Sequence, residues 1–236
     1  MSKMFLPSGY RMKKPPSNNF PQVHDCGKLT VTVIASGSVG NAVFVRENDS
    51  THGIMIDIGV SYKRIEPWVQ GVDAVLATHV HLDHWRKNTM DKLKSINPKC
   101  LYIEPQGSGI EYAFDSTIPH NTWAVIRGKY SRIMCIPTPH SVNNVAWVVQ
   151  FLNSGATYFH ATDTASLNHI SCKGADVYGI ECNYSDIEEL VNRKNGHEVI
   201  SVSSHLSTEN ALAWFELNKG SDSKFIPLHE ARTFKN

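Results

Sequence analysis

The chain has 236 residues, 41% hydrophobic and 19% charged, with a formal net charge of +1. That length suits one α/β domain with a sizeable core. The near-neutral balance excludes a protein that coats long polyanions through a general basic surface, but not one that grips a phosphate ester at a focused site.

Taken in chain order, residues 1–28 come first, with Pro7, Pro15, Pro16 and Pro21 and no periodicity. They read as an extended N-terminal arm, free or laid across the body or a neighbouring subunit, which leaves a homodimer open. Arg11, Lys13 and Lys14 within it read as a solvated charge run rather than a nucleic-acid contact. Residues 1–20 lack the apolar centre of a secretory signal. No run approaches the ~20 apolar residues of a membrane span. The five cysteines (Cys26, Cys100, Cys135, Cys172 and Cys182) are odd in number and include no C-x-x-C. They point away from disulfides and cysteine zinc sites, and toward buried thiols in a cytoplasmic protein.

Residues 29–236 form the expected catalytic domain. Leu29–Ala35 alternates and is β-branched, so it predicts a strand, followed by a turn loop over Ser36–Asn41. Further strands are expected at Ala42–Arg46, Ile54–Ile58, Ala74–Ala77, Leu101–Ile103, Ile133–Ile136, Val145–Phe151, Thr157–His160 and Val177–Ile180. Helices are expected at Lys87–Ile96, Tyr184–Arg193 and Thr208–Leu217, the last capped by Ser207. Early paired strands with interspersed helices predict an α/β fold of two sheets sandwiched between helices.

The densest chemistry follows the Ala74–Ala77 strand, in Thr78-His79-Val80-His81-Leu82-Asp83-His84. Residues two apart share one side of an extended segment, so His79 and His81 would face one point. A turn would then carry Asp83 and His84 to a second point nearby. Imidazole and carboxylate donors suit zinc and similar divalent ions. A chance cluster of polar loop histidines does not account for this order at a strand end.

The motif resembles the H-x-H-x-D-H loop of the metallo-β-lactamase superfamily, whose fold is a four-layer αββα sandwich. The resemblance runs from about Leu29 to the end, and later segments extend it. His140 in Pro137-Thr138-Pro139-His140-Ser141 is similar to the third histidine motif, and Asp163 in His160-Ala161-Thr162-Asp163-Thr164 to the bridging aspartate. His229 in Phe225-Ile226-Pro227-Leu228-His229 is similar to the last metal histidine, and Asp57 in Met55-Ile56-Asp57-Ile58-Gly59 to the aspartate that orients the ligand loop from behind. The resemblance implies one metal on His79, His81 and His140, another on Asp83, His84 and His229, and Asp163 between them. Two divalent ions are implied, zinc first and manganese as the alternative. Their charge exceeds that of Asp83, Asp163 and a shared hydroxide, which suits an anionic phosphate better than a neutral amide.

Within the superfamily, Ser36-Gly37-Ser38-Val39-Gly40-Asn41, Ile180-Glu181-Cys182-Asn183 and Ser204-His205-Leu206-Ser207-Thr208-Glu209 look like segments of the YycJ-like (WalJ-like) branch, and more distantly of RNase Z. Tyr184 stands where that branch has histidine, and no Gly/Pro-rich tRNA-gripping arm is evident. The resemblance implies a phosphodiesterase in which a two-metal-activated hydroxide, with Asp83 among the catalytic groups, cleaves nucleic acid in a nuclease-like reaction. Opening of small cyclic nucleotides, as in phage relatives, and a thioester or lactam hydrolase on the same fold are the alternatives. His205 would give the leaving group its proton, its ring held by Glu181. Asn41, Ser141, Asn143 and Asn144 are candidates to hydrogen-bond substrate, or else to cap turns. His24, His52, His120, His160, His169 and His197 receive no role.

Overall fold

The computed structural model describes residues 20–126, 130–184 and 204–229. A seven-stranded sheet takes β1 (Gln22–Asp25), β2 (Leu29–Ala35), β3 (Ala42–Glu47), β4 (Gly53–Ile56), β5 (Val72–Leu76), β6 (Leu101–Pro105) and β7 (Ser116–Ile118) in that spatial order. Its first four strands form an antiparallel meander, and β4 to β7 run parallel. A six-stranded sheet holds β8 (Ala124–Val125), β9 (Ser131–Thr138), β10 (Asn144–Phe151), β11 (Thr157–Ala161), β12 (Val177–Glu181) and β13 (Lys224–Leu228). Here the antiparallel strands give way to the parallel set β11, β12 and β13.

Three apolar layers hold the sandwich together. Val31, Val45, Ile54 and Leu76 of the first sheet meet Ile133, Trp147, Tyr158 and Ile226 of the second. On the outer side of the first sheet, Phe44, Met55 and Val75 lie with Ile65, Val69, Met90 and Leu93. Those residues come from α1 (Tyr62–Ile65), the 3₁₀ turn Glu66–Gly71 and α2 (Lys87–Ile96). On the outer side of the second sheet, Phe159, Tyr178 and Ile180 lie with Ala211, Trp214 and Phe215 of α3 (Thr208–Asn218). The result is the expected αββα sandwich. Covering both faces of each sheet explains why β2 and β4 are buried along their whole length.

One expectation changes, and another falls outside the described residues. β1 pairs with Thr30–Val33 at the sheet edge, so the sandwich begins at Gln22 rather than after residue 28. Its side chains alternate between half-buried and exposed, and backbone pairing rather than apolar content holds it there. The helix expected at Tyr184–Arg193 lies outside the described residues beyond Tyr184, as do Arg11, Lys13, Lys14 and His197. Ser207 does cap α3, accepting from the Asn210 amide at 3.1 Å. Among the described residues, no helix is long and apolar enough to cross a membrane.

The parallel strands β5, β11, β12 and β13 end on one rim of the sandwich, where the loops carrying His79, Asp163, Glu181 and His229 follow them. Trp147 ties the sheets just below this rim, its indole N–H donating to the Ala77 carbonyl at 3.0 Å.

Candidate metal centre

The loop after β5 is held from behind by a buried carboxylate. Asp57 accepts from the Thr78 amide at 2.8 Å and from the Thr78 hydroxyl, and its Oδ2 lies 2.6 Å from His84 Nδ1. A carboxylate only accepts, so His84 donates its Nδ1–H, while its Nε2 points toward the centre, 2.8 Å from Asn41 Nδ2 and 2.7 Å from Asp163 Oδ2. Thr78 Oγ1 lies 3.0 Å from His79 Nδ1, which frees His79 Nε2 in the same way.

Two further loops brace the turn at Asp83–His84. The Asp83 carbonyl accepts from the Asn41 amide at 2.7 Å, and the His84 carbonyl from the Ile58 amide at 2.9 Å. Gly59 lies so close that a Cβ there would meet the Asp83 carbonyl oxygen at 1.7 Å and the His84 nitrogen at 2.5 Å. Only glycine permits this approach.

The second sheet supplies the other donors. Asp163 follows β11, and its Oδ2 lies 2.7 Å from His84 Nε2 and 3.5 Å from His229 Nε2. His229 follows β13, and its Nδ1 lies 3.0 Å from Glu181 Oε1. His140, in the β9–β10 turn, has its Nε2 3.4 Å from His81 Nδ1. Asp57, Asp163 and His229 all have left-handed backbone, with φ of 59°, 52° and 49°. Such conformations cost non-glycine residues about 1–3 kcal/mol each and cluster at functional sites.

The donors fall into overlapping groups whose ligand atoms lie within 4.8 Å of one another: His79, His81 and His140; Asp83, His84 and His229; His79, His84 and Asp163; and Asp163, Glu181, His205 and His229. Four buried atoms at this centre, His79 Nε2, His140 Nδ1, Asp163 Oδ2 and His229 Nε2, have no hydrogen-bond partner among the described residues. Asp163 Oδ2 nonetheless lies 2.7 Å from His84 Nε2. Buried polar atoms are rarely left unpaired. Orphaned nitrogen and oxygen atoms converging on one centre are what divalent ions would satisfy, and imidazole with carboxylate is a fitting donor set.

Electrostatics describe the same centre. Burial opposes charge on His84, but the Asp163 and Asp57 carboxylates outweigh it and hold its pKa well above the usual value. His229 is raised likewise, against burial, by Asp163 and then Glu181. Burial alone would raise Asp163, yet His84 and His229 hold it well below the carboxylate range. Burial, and then the neighbouring His84, lower His79 strongly; burial also lowers His140. These opposed shifts describe a cluster in which protons occupy positions that metal ions would take.

Beside the donors sits the expected pair. His205 Nδ1 lies 2.6 Å from Glu181 Oε1, and Glu181 is fully buried. Glu181 Oε2 accepts from the Thr164 amide at 2.9 Å and the Leu206 amide at 3.4 Å. Both imidazole N–H groups, of His205 and His229, thus converge on one oxygen of Glu181, an arrangement that sequence spacing does not reveal.

The polar candidates for substrate contact divide. Asn41 is buried and spends its carboxamide on the loop and its histidine: it accepts from the Gly37 amide at 2.8 Å, its Nδ2 lies 3.2 Å from the Gly37 and Asp83 carbonyls, and 2.8 Å from His84 Nε2. It therefore shapes the turn instead of facing substrate. Asn144 is also buried, donating to the Thr162 and Asp163 carbonyls, and it secures the loop that carries Asp163. Asn143 is exposed, and its Nδ2 donates to the Gly107 carbonyl at 2.7 Å; Ser141 is exposed. Sequence reasoning missed Thr78 and Gly59, whose roles depend on loops meeting in space, and Ser36, whose hydroxyl accepts from the His229 amide at 2.5 Å. His160 is fully enclosed beside Tyr158, at 3.1 Å from its hydroxyl. His52 pairs with Asp73 at the surface, and His169 meets the Pro137 carbonyl.

Compared with known proteins, residues 52–229 match the family model described as a β-lactamase superfamily domain. No curated protein matches the sequence. Among solved structures, the metallo-β-lactamase fold protein YhfI from Bacillus subtilis superposes with a TM-score of 0.64 at 16% identity, over 88% of each chain. The short form of human tRNase Z gives 0.62 at 14% identity, covering 86% of this chain and 93% of that one. A diphosphatase of the PhnP family gives 0.59 at 14% identity, over 86% of each. At these identities the likeness is one of fold.

Proposed function

The chain belongs to the β-lactamase superfamily, and from that premise we propose that it is a metal-dependent phosphodiesterase acting on nucleic acid or nucleotides. The observation that carries this reading is the Glu181–His205 pair at 2.6 Å, set beside the metal donors with the His205 side chain still reached by solvent. Hydrolysis of an alkyl phosphodiester expels a strongly basic alkoxide, which needs a proton donor held in place. An acyl-transfer site acting on a thioester has less need of one, because a thiolate leaves readily.

His79, His81 and His140 would hold one divalent ion; Asp83, His84 and His229 would hold the other, and Asp163 would touch both. Bound there, the ions would supply an acidified water and neutralise phosphate oxygens. The chain's own residues do the rest. Asp57 and Glu181 fix the tautomers of His84 and His229, so that Nε2 faces the centre in each. Glu181 fixes the His205 ring, leaving its Nε2 to give a proton to the departing oxygen. Two aspartates against two divalent ions leave excess positive charge, which favours an anionic phosphate.

Imidazole-rich donors support zinc, with manganese the alternative. The loops Ser36–Asn41, Ile180–Asn183 and Ser204–Glu209 support placement near the YycJ-like branch. The five free cysteines support a reducing, cytoplasmic setting. That tRNase Z and the PhnP-family diphosphatase superpose on the chain agrees with phosphate-ester chemistry. The test is hydrolysis of bis(p-nitrophenyl) phosphate, single-stranded and duplex DNA, RNA and cyclic mononucleotides, each with zinc or manganese. Turnover of a diester that chelation abolishes is expected. Failure on every diester, with turnover of a thioester by the same metal-loaded protein, would overturn the reading.

A further inference from the structure

A cavity of about 260 Å³ opens beside His140, between the β9–β10 turn and the segments flanking β7. It lies at the low end of the ~300–1,000 Å³ typical of small-molecule sites. That is room for one planar heterocycle and its sugar, not for a run of nucleotides. Its walls combine flat apolar rings, Pro137 and Pro139, with the imidazole of His120 and the neutral polar groups of Gln106, Ser141 and Asn143. Among the described residues no carboxylate, ammonium or guanidinium lines it. Such a lining suits an uncharged planar ring with a hydrogen-bonding edge, and offers nothing to a second phosphate.

The position gives the cavity its meaning. His140 stands both on its wall and in the His79–His81–His140 donor group, so the cavity begins where the proposed metal centre ends. Asn143 donates to the Gly107 carbonyl at 2.7 Å, which clasps the β9–β10 turn to the loop after β6 and closes one side. We propose that this cavity is a nucleobase subsite, which receives the base of one esterified nucleoside while the phosphate lies on the metal centre. This rests on the phosphodiesterase reading. It assigns His120, Gln106 and Ser141 to base recognition, with His120 offering a face for stacking.

The test compares kcat/KM for thymidine 5′-(4-nitrophenyl phosphate) with that for methyl 4-nitrophenyl phosphate, which has the same leaving group and no base. Stacking of one base is worth ~1–3 kcal/mol, so the protein is expected to prefer the nucleoside ester by about 5- to 150-fold. V142W, which puts an indole into the cavity, should bring that ratio toward one, and H120A should lower it about fivefold. A wild-type ratio near one, or variants that slow both esters in parallel, would overturn the subsite. If neither ester is cleaved, the phosphodiesterase reading fails separately. The subsite is then judged by saturation-transfer NMR with thymidine, which carries no phosphate. Transfer to the thymine protons that is lost in V142W would support it, and no transfer in the wild type would overturn it.

Discussion

Replacing Glu181 by glutamine tests the centre sharply, because all four of its bonds are accepted ones. Oε1 takes the N–H groups of His205 and His229, at 2.6 and 3.0 Å, and Oε2 takes two backbone amides. Glutamine offers one accepting oxygen and one donating NH₂. The backbone amides of Thr164 and Leu206 cannot change tautomer, so the oxygen must turn to them and the NH₂ to the histidines. Both rings must then accept at Nδ1 and carry their proton on Nε2. For His229 that proton sits on the atom that faces the metal centre. Loss of a carboxylate behind a ligating histidine weakens metal affinity about 10- to 100-fold, or ~1.4–2.8 kcal/mol. The expected result for E181Q is therefore a second zinc equivalent weakened by that factor, read by competition with a chromophoric chelator. The fold should remain, since the replacement is isosteric. Unchanged affinity for both equivalents would refute the tautomer argument.

D163A should lose both ions and activity, because Asp163 groups with His79 and His84, one donor of each proposed ion; retention of two equivalents in elemental analysis would remove its bridging role. H229A should lose the ion shared with Asp83 and His84, whereas H205A should keep both ions and lose ~10²–10⁴ in rate with an alkoxide leaving group but far less with p-nitrophenolate. An emptied metal position in H205A, with full occupancy in H229A, would exchange the two roles. In G59A the new Cβ must push the Asp83 carbonyl aside, at about 1–3 kcal/mol for overpacking; unchanged thermal unfolding together with unchanged zinc affinity would show that the loop does not need that contact. Because the carboxylates raise the pKa values of His84 and His229, those rings hold protons that metal must displace. Zinc affinity should therefore rise with pH, toward about tenfold per unit for each proton displaced, and a flat calorimetric profile between pH 6 and 8 would contradict this.

The elements legible in the sequence were those with enough apolar or β-branched residues to mark a period. β2 and α2 match their expected bounds, and β10 and α3 differ by a residue at one end. β13 was not anticipated, since Pro227 interrupts Lys224–Leu228; the structure admits it because β13 lies at the sheet edge, where a missing N–H is tolerated. β7 and β8 are too short to leave a pattern, and β1 is too polar. The candidate donors were legible because four of them fall within six residues and the rest follow strands in a familiar order. The bracing was not. Asn41, Gly59 and Thr78 act through backbone atoms of loops distant in sequence, and nothing in their own neighbourhood announces it.

The centre draws on both halves of the sandwich: His79, His81, Asp83 and His84 come with the first sheet, and His140, Asp163 and His229 with the second. The contact that seats His229, from its amide to Ser36, spans 193 positions. Contacts of such separation form late, after loop-closure entropy has been met by the packing of the sheets. A chain still growing from its N-terminal end would own half of each proposed coordination sphere; it would gain His140 and Asp163 with the strands β9 to β11, but would lack His229, and so the second sphere, until its final strand docks. Metal can thus act as a seal on the closed sandwich and not as a nucleus for its folding. Every ion held then adds to the stability of the sheet-to-sheet interface by mass action.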